Sequence, residues 1–253
     1  MNDDRVDLHK EEDGTAATPF NISCEKGLIE IVKLLLAHKR FDPNKPNIYG
    51  TIPFNFACIS GFNEVMELLL SQRIDAEKAF YGNIRPLYNE CHQGYVEIVK
   101  LLLNDQRLDL NKSDHEIPLY CACFYDQIEV VKLLLNDERI DVNKVNYLNE
   151  TSFWIACQRG RTETVQLLLS DERIDINKEN SIGQTPFSIS CERHIEIVKI
   201  LVNDERIDVN KSNRLGETPL YIACKNNEFE IVQTILISRR EIDINKNSVL
   251  PKS

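Results

Sequence analysis

The sequence predicts an all-α repeat fold made of seven copies of one two-helix unit, and three observations predict it. The first is a cysteine ladder. Cys24, Cys58, Cys91, Cys123, Cys157, Cys191 and Cys224 are separated by 34, 33, 32, 34, 34 and 33 residues, and a near-constant period marks a structural unit that is copied along the chain. The second is a helix start five residues before each cysteine, at Pro19, Pro53, Pro86, Pro118, Ser152, Pro186 and Pro219. The third is a run close to Glu-Ile-Val-Lys-Leu-Leu-Leu that follows, as from Glu30 to Leu36, Glu97 to Leu103 and Glu129 to Leu135.

Each element of the unit has a physical reason. Thr18, Thr185 and Thr218 stand before their prolines, and Thr151 before Ser152. A threonine hydroxyl caps free backbone N–H groups, and proline suits the first helical position, so a short first helix runs through each cysteine. Three residues past the cysteine, Gly27, Gly61, Gly94 or Gly160 fits a left-handed stop. Asp126 and Asn227 replace it in two units, and both residue types tolerate positive φ. The unit containing Cys191 is one residue shorter in this turn. The Glu-Ile-Val-Lys-Leu-Leu-Leu run has the spacing of a helix with a broad buried face. A polar connector closes the unit. Its text, from Asp137 to Lys144, recurs from Asp171 to Lys178 and from Asp204 to Lys211, and it leads into a turn with Gly50, Gly82, Gly183 or Gly216.

The ladder is a packing feature. Equivalent residues of stacked helices lie about 8–10 Å apart, whereas a disulfide needs Cα atoms within about 7 Å. There is no Cys-x-x-Cys pair to start a zinc site. Each ladder cysteine is expected to be a small buried apolar residue in a helix seam. So many unpaired thiols belong in a reducing compartment, the cytosol or the nucleus.

Composition excludes other classes. A net charge of −10 has the wrong sign for binding a phosphate backbone. No apolar run approaches the ~20 residues of a membrane span, and Met1-Asn2-Asp3-Asp4-Arg5 does not open a signal peptide. No nucleophile elbow, phosphate-binding glycine loop or His-Glu-x-x-His is present. The five histidines are His9, His38, His92, His115 and His194, and only His92 and His115 could approach one another, near Glu90. The expectation is a protein that is not an enzyme, with no cofactor and no metal.

The repeated text closely resembles the ankyrin repeat. The matching residues are Thr218-Pro219-Leu220 with Ala223, the turn Gly27, the run Glu30-Ile31-Val32-Lys33-Leu34-Leu35-Leu36, and Asp141-Val142-Asn143. Cysteine replaces the family's second first-helix alanine, and the connector is often one residue longer than its norm. The resemblance implies antiparallel helix pairs joined by hairpin-like fingers and stacked into a curved solenoid. Residues 18–246 would form seven tandem repeats in one continuous array, residues 1–17 a partial leading repeat or connector, and residues 247–253 a tail. Ile231, Val232, Ile235, Leu236 and Ile237 keep an internal-looking apolar pattern in the last helix. The ends are therefore expected to be uncapped, in a longer array or in a minimal one whose monomers could stack end to end.

Two charged and polar series recur. Arg40, Arg73, Arg107, Arg139, Arg173 and Arg206 each stand two residues before an aspartate, among them Asp141, Asp175 and Asp208. They read as a local turn with weak surface ion pairs. The series Asn44, Asn111, Asn143, Asn177, Asn210 and Asn245 is expected to tie connectors through side-chain-to-backbone bonds. In the ankyrin family the matching asparagine can be a hydroxylation substrate.

What varies between repeats reads the partner. The resemblance implies a concave face of fingers and first helices. The position two after each proline and the position six after it are i, i+4 neighbours on one helix face. In the central repeats this face is aromatic and on the flanks it is polar. Its candidate contacts are Tyr88, His92, Tyr120, Phe124, Tyr125, Trp154 and Arg159, bordered by Tyr81, His115 and Tyr147 on the fingers. Aromatic anchors with a polar rim suit a protein-binding hot spot. Packing between neighbouring first helices is the competing reading for Tyr88, Tyr120, Trp154 and Tyr221. The third repeat breaks the pattern, with Glu90 where others hold Ala57, Ala122, Ala156 or Ala223, so Glu90 would need a partner or a route to solvent. The leading expectation is a protein-interaction scaffold. The alternative is a regulatory or spacer array from a larger protein.

Overall fold

A computed structural model of the chain describes residues 18–38, 41–72, 86–106, 108–111, 117–238 and 240–244. Among them are fourteen helices and no strand, in seven consecutive pairs. The first helices of the pairs are α1 (Pro19–Glu25), α3 (Pro53–Ser60), α5 (Pro86–Gln93), α7 (Pro118–Phe124), α9 (Ser152–Gln158), α11 (Pro186–Ser190) and α13 (Pro219–Lys225). The second helices are α2 (Ile29–Leu36), α4 (Asn63–Ser71), α6 (Val96–Asn104), α8 (Ile128–Leu135), α10 (Thr162–Leu169), α12 (Ile195–Leu201) and α14 (Phe229–Ile237). Two compact units result, Met1–Leu110 and Asn111–Ser253. In the first, α1, α3 and α5 pack in one row and α2, α4 and α6 in another. In the second, α7, α9, α11 and α13 form one row and α8, α10, α12 and α14 the other.

The local signals act as expected. Thr18, Thr151, Thr185 and Thr218 each accept, at 3.1–3.2 Å, the backbone N–H three residues on. Ile52 and Ile117 occupy that place in α3 and α7 and offer no side-chain cap. The residue after the proline or serine turns into the core: Phe20, Phe54, Phe153 and Phe187 are fully buried. Each such side chain contributes about 1.5–3 kcal/mol by leaving water. Opposite them lies a valine row on the second helices, Val32, Val65, Val99, Val131, Val165 and Val198, also buried.

All eight cysteines are free thiols, and six of the seven ladder positions are buried. Burial pushes the Cys24 and Cys157 thiols up to about 12, so they stay protonated and inert. Two details depart from the expectation. Cys224 is exposed: among the described residues no first helix packs on the far side of α13. Cys191 is the C-cap of α11 and not part of the helix, since the shorter turn ends that helix at Ser190. The apolar pattern of α14 likewise divides: Ile231 and Ile235 are buried, but Ile237 is 74 % exposed.

The connectors hold neighbouring repeats together. Asn143 donates through Nδ2 to Arg173 O at 2.7 Å and accepts through Oδ1 from Asp175 N at 2.7 Å. Asn111, Asn177 and Asn210 repeat this bridge to the connector of the next repeat. The arginine series forms the local turns and ion pairs expected of it, through the preceding aspartate. Arg139, Arg173 and Arg206 bind the aspartate two residues before them, Asp137, Asp171 and Asp204. The following aspartate is turned to its own connector: Asp141 accepts Asn143 N and Asp175 accepts Asn177 N. Nor are these arginines confined to their own repeat. Arg173 donates to Leu135 O and Arg206 to Leu169 O, the last residues of α8 and α10, where a cation also opposes the negative end of the helix dipole.

Glu90 is 1 % exposed on α5, and its Oε2 has no hydrogen-bond partner. Among the described residues, no partner for that oxygen answers the need that the sequence raised. Burial instead raises its pKa to about 8, which holds the carboxyl neutral over most of the physiological range.

Candidate protein-binding face

The second unit builds its face from three consecutive turns, each joining a first helix to a second. At the second and third of these turns, the residue capping the second helix reaches back over the turn before it. His194, before α12, lies with Nε2 2.8 Å from Gln158 O, and a Cβ on Gly160 would come within 2.7 Å of its Nδ1. Gly160, at φ +72°, therefore serves twice: it takes the left-handed stop and leaves room for the imidazole. One repeat earlier the turn residue is Asp126, and the capping residue is Arg161. Arg161 donates to Phe124 O at 3.3 Å and lies 3.9 Å from Asp126, which also accepts Thr164 Oγ1 at 2.9 Å. The first unit uses the glycine version, with Phe62 over Gly27 and Tyr95 against Gly61. Sequence reading missed this coupling. Its signal is a pair of positions 34 or 35 residues apart that change together, glycine with a ring or aspartate with arginine.

These turns carry the exposed side chains. Arg159 stacks its guanidinium over the Phe124 ring at 3.9 Å from the centroid. Phe124 in turn meets the Tyr125 ring, centroids 4.8 Å apart and tilted by 56°. Tyr125 is 44 % exposed, Phe124 is half-buried and Arg159 is exposed. The result is a Tyr125–Phe124–Arg159 stack running from one repeat onto the next.

Tyr120 stands one helical turn before Phe124 and is half-buried. Its hydroxyl donates to Glu150 Oε2 at 2.8 Å, and Asn146 Nδ2 donates to the same oxygen at 2.8 Å. Desolvation raises the Tyr120 pKa, with added contributions from Glu150 and Tyr147 and an opposing one from Arg159. Tyr120 thus joins the stack to the finger that carries Tyr147, which is 75 % exposed. The fingers are tight turns: Asn146 Oδ1 accepts the N–H groups of Leu148 and Glu150, and successive fingers are linked by Ser181 N to Leu148 O and Arg214 N to Ile182 O.

Of the residues expected on the face, Tyr120, Phe124, Tyr125, Tyr147 and Arg159 come together in this way. Trp154 does not present a contact surface. It is 2 % exposed, and its Nε1 donates to Gln184 O at 3.1 Å, so it packs between repeats. The ring is too large for the seam to leave any of it in solvent once α9 packs on α7 and α11. Tyr88 and His92 are half-buried on α5 in the first unit. Tyr81 and His115 lie outside the described residues. Among the described residues no group of three or more His, Cys, Asp or Glu could hold a metal ion, and no helix is long and apolar enough to cross a membrane.

The backbone is similar to a solved structure of the ankyrin repeat domain of Bcl-3, a unique member of the IkappaB protein family. The TM-score is 0.77 at 21 % identity, covering 89 % of this chain and 100 % of that one. No curated protein matches the sequence. The family model for ankyrin repeats matches three times, over residues 3–80, 82–146 and 153–248. With nearly its whole length matched by that model, the chain belongs to the ankyrin repeat family.

Proposed function

We propose that the chain is a non-catalytic scaffold that binds a partner protein on the concave first-helix face of its second unit. The observation that carries this reading is the Tyr125–Phe124–Arg159 stack, exposed on an otherwise regular repeat surface. Tyrosine and arginine are the residue types that dominate protein-binding hot spots. A ring already stacked under a guanidinium loses little further freedom on binding. Membership of the ankyrin family supports a protein partner, since such repeats generally act through protein contacts. Tyr120 and Tyr147 border the stack. His115, on sequence grounds, belongs to the same unit's proposed contacts; Tyr81, Tyr88 and His92 belong to the first unit and are proposed as contacts of that unit by itself. Free thiols throughout suit a reducing compartment, the cytosol or the nucleus.

The test is affinity capture from lysate with the protein beside its Phe124→Glu, Tyr125→Glu variant, both shown to be folded by circular dichroism. A prey held by the first and lost by the second supports the reading. Equal capture by both moves the site off this face.

A further inference from the structure

We infer that the turn edge from Phe124 to His194 is a docking strip for an acidic, extended peptide segment of the partner. The inference rests on the protein-binding reading above and names the chemistry of what binds there.

Three observations carry it. The first is continuity. The turn of Phe124, Tyr125 and Asp126 touches the turn of Arg159 through Arg161, and that turn touches the one holding Arg193 through His194. The edge is therefore one surface across three repeats. The second is unspent charge. Arg159 and Arg193 are both exposed. Arg159 is held by ring stacking and not by a carboxylate, and no ion pair engages Arg193 among those described. The acids of the same turns each have a partner, Asp126 a cation and Glu192 a neutral amide, against three arginines on the same edge. Asp126 is held by Arg161 and Thr164, and Glu192 accepts Gln184 Nε2 at 3.2 Å. The third is direction. Arg159 sits over a ring face, an interaction that consumes none of its N–H donors, and those donors match a carboxylate bidentately. Two free guanidinium groups beside an exposed aromatic pair, on a chain of net charge −10, form a local basic site that a carboxylate-rich peptide complements.

Geometry sets the spacing. Consecutive repeats are about 8–10 Å apart, and an extended chain advances about 3.3 Å per residue. The acids that meet Arg159 and Arg193 are therefore about three residues apart in the peptide. An aromatic or aliphatic anchor for Tyr125 and Phe124 lies about three residues beyond the first acid.

The experiment pans a phage-displayed random dodecapeptide library on the full chain and resynthesises the enriched peptides with a fluorescein label. Their affinity is then measured by anisotropy against the protein, an Arg159→Gln, Arg193→Gln variant, an Arg159→Lys variant and the Phe124→Glu, Tyr125→Glu variant. The expected consensus carries Asp or Glu at a spacing of about three with a hydrophobic anchor. Binding falls about tenfold or more in the double glutamine variant, falls less in Arg159→Lys, and weakens with added salt. Enriched peptides without acids, lost only in the Phe124→Glu, Tyr125→Glu variant, would overturn the acidic assignment and leave the protein-binding reading standing. Peptides that bind all variants alike, or no enrichment at all, would overturn both. Binding of a labelled oligouridylate dodecamer that the glutamine variant loses would overturn the choice of a peptide.

Discussion

Arg161 and Asp126 occupy, one repeat earlier, the places that His194 and Gly160 occupy in the next: a capping side chain laid over the preceding turn. In one case the turn makes room with a glycine. In the other it keeps a side chain and pairs it with a cation. The same junction thus locks the repeats and sets what the turn edge shows to solvent.

Gly160→Ala is expected to cost about 1–3 kcal/mol. The left-handed φ of +72° penalises any Cβ, and the new methyl group would lie 2.7 Å from His194 Nδ1. Gly50→Ala carries the φ penalty alone, because nothing lies within 4 Å of its Cβ position. Urea melts of the two variants should therefore differ, with Gly160→Ala the weaker. Equal losses would show that His194 yields freely.

Asn143→Ala removes both halves of a bridge, the donation to Arg173 O and the acceptance from Asp175 N. A loss of about 1–2 kcal/mol follows. Because the bridge joins two repeats, hydrogen exchange should rise at Asp175 N as well as at the mutated connector.

Glu90 gives the first unit an inverted pH dependence. Its folded pKa lies near 8, above the 4.5 of an ordinary glutamate, so the folded state holds a proton that the unfolded state has released. Its contribution is complete below about pH 4.5 and is lost as pH rises toward 8, by about 3 kcal/mol between pH 4.5 and 7. The groups around it leave this intact. Cys58 on α3 is a neutral buried thiol, and on α6 Glu97 and Lys100 pair with each other at 2.7 Å toward solvent. Glu90→Ala restores the residue type of Ala57 and should flatten this limb while stabilising the protein at pH 7. Asp137, Asp171 and Asp204 act in the opposite sense. Hydrogen bonds from Arg139, Arg173 and Arg206 hold their carboxyls below the usual range, so their stabilisation is present above pH 4 and is lost on acidification. Denaturant melts from pH 3 to 8 on the protein and on Glu90→Ala separate the two effects.

Trp154 and Tyr125 should behave as opposites. Trp154→Ala empties a buried site and costs roughly 3–5 kcal/mol, whereas Tyr125→Ala stays within about 0.5 kcal/mol. As the only tryptophan, Trp154 also gives a fluorescence signal specific to unfolding of the second unit.

The sequence made the helix pairs legible because their signals are local: a threonine cap, a proline start, a positive-φ stop and an apolar stripe of helical period. Phe124 and Tyr125 are also legible in the sequence as neighbours, and their rings do meet. What it missed depends on geometry between repeats. Sequence order sets Arg173 between two aspartates, Asp171 and Asp175, without choosing one, and the turn points it at Asp171 and at Leu135 O in the repeat before. Trp154 and Tyr125 look alike as aromatic residues on first helices, yet one seals a seam and the other faces water. The exposure of Cys224 follows from what stands beside α13, which no single repeat records.

The most direct test of the binding face is site-specific photo-crosslinking. Benzoylphenylalanine is placed in turn at position 125, on the turn edge, and at position 166, exposed on the second helix α10. After irradiation in the source cells, a discrete protein adduct at 125 with none at 166 is the result the account predicts. An adduct at 166 with none at 125 would contradict it and place the partner on the second-helix side.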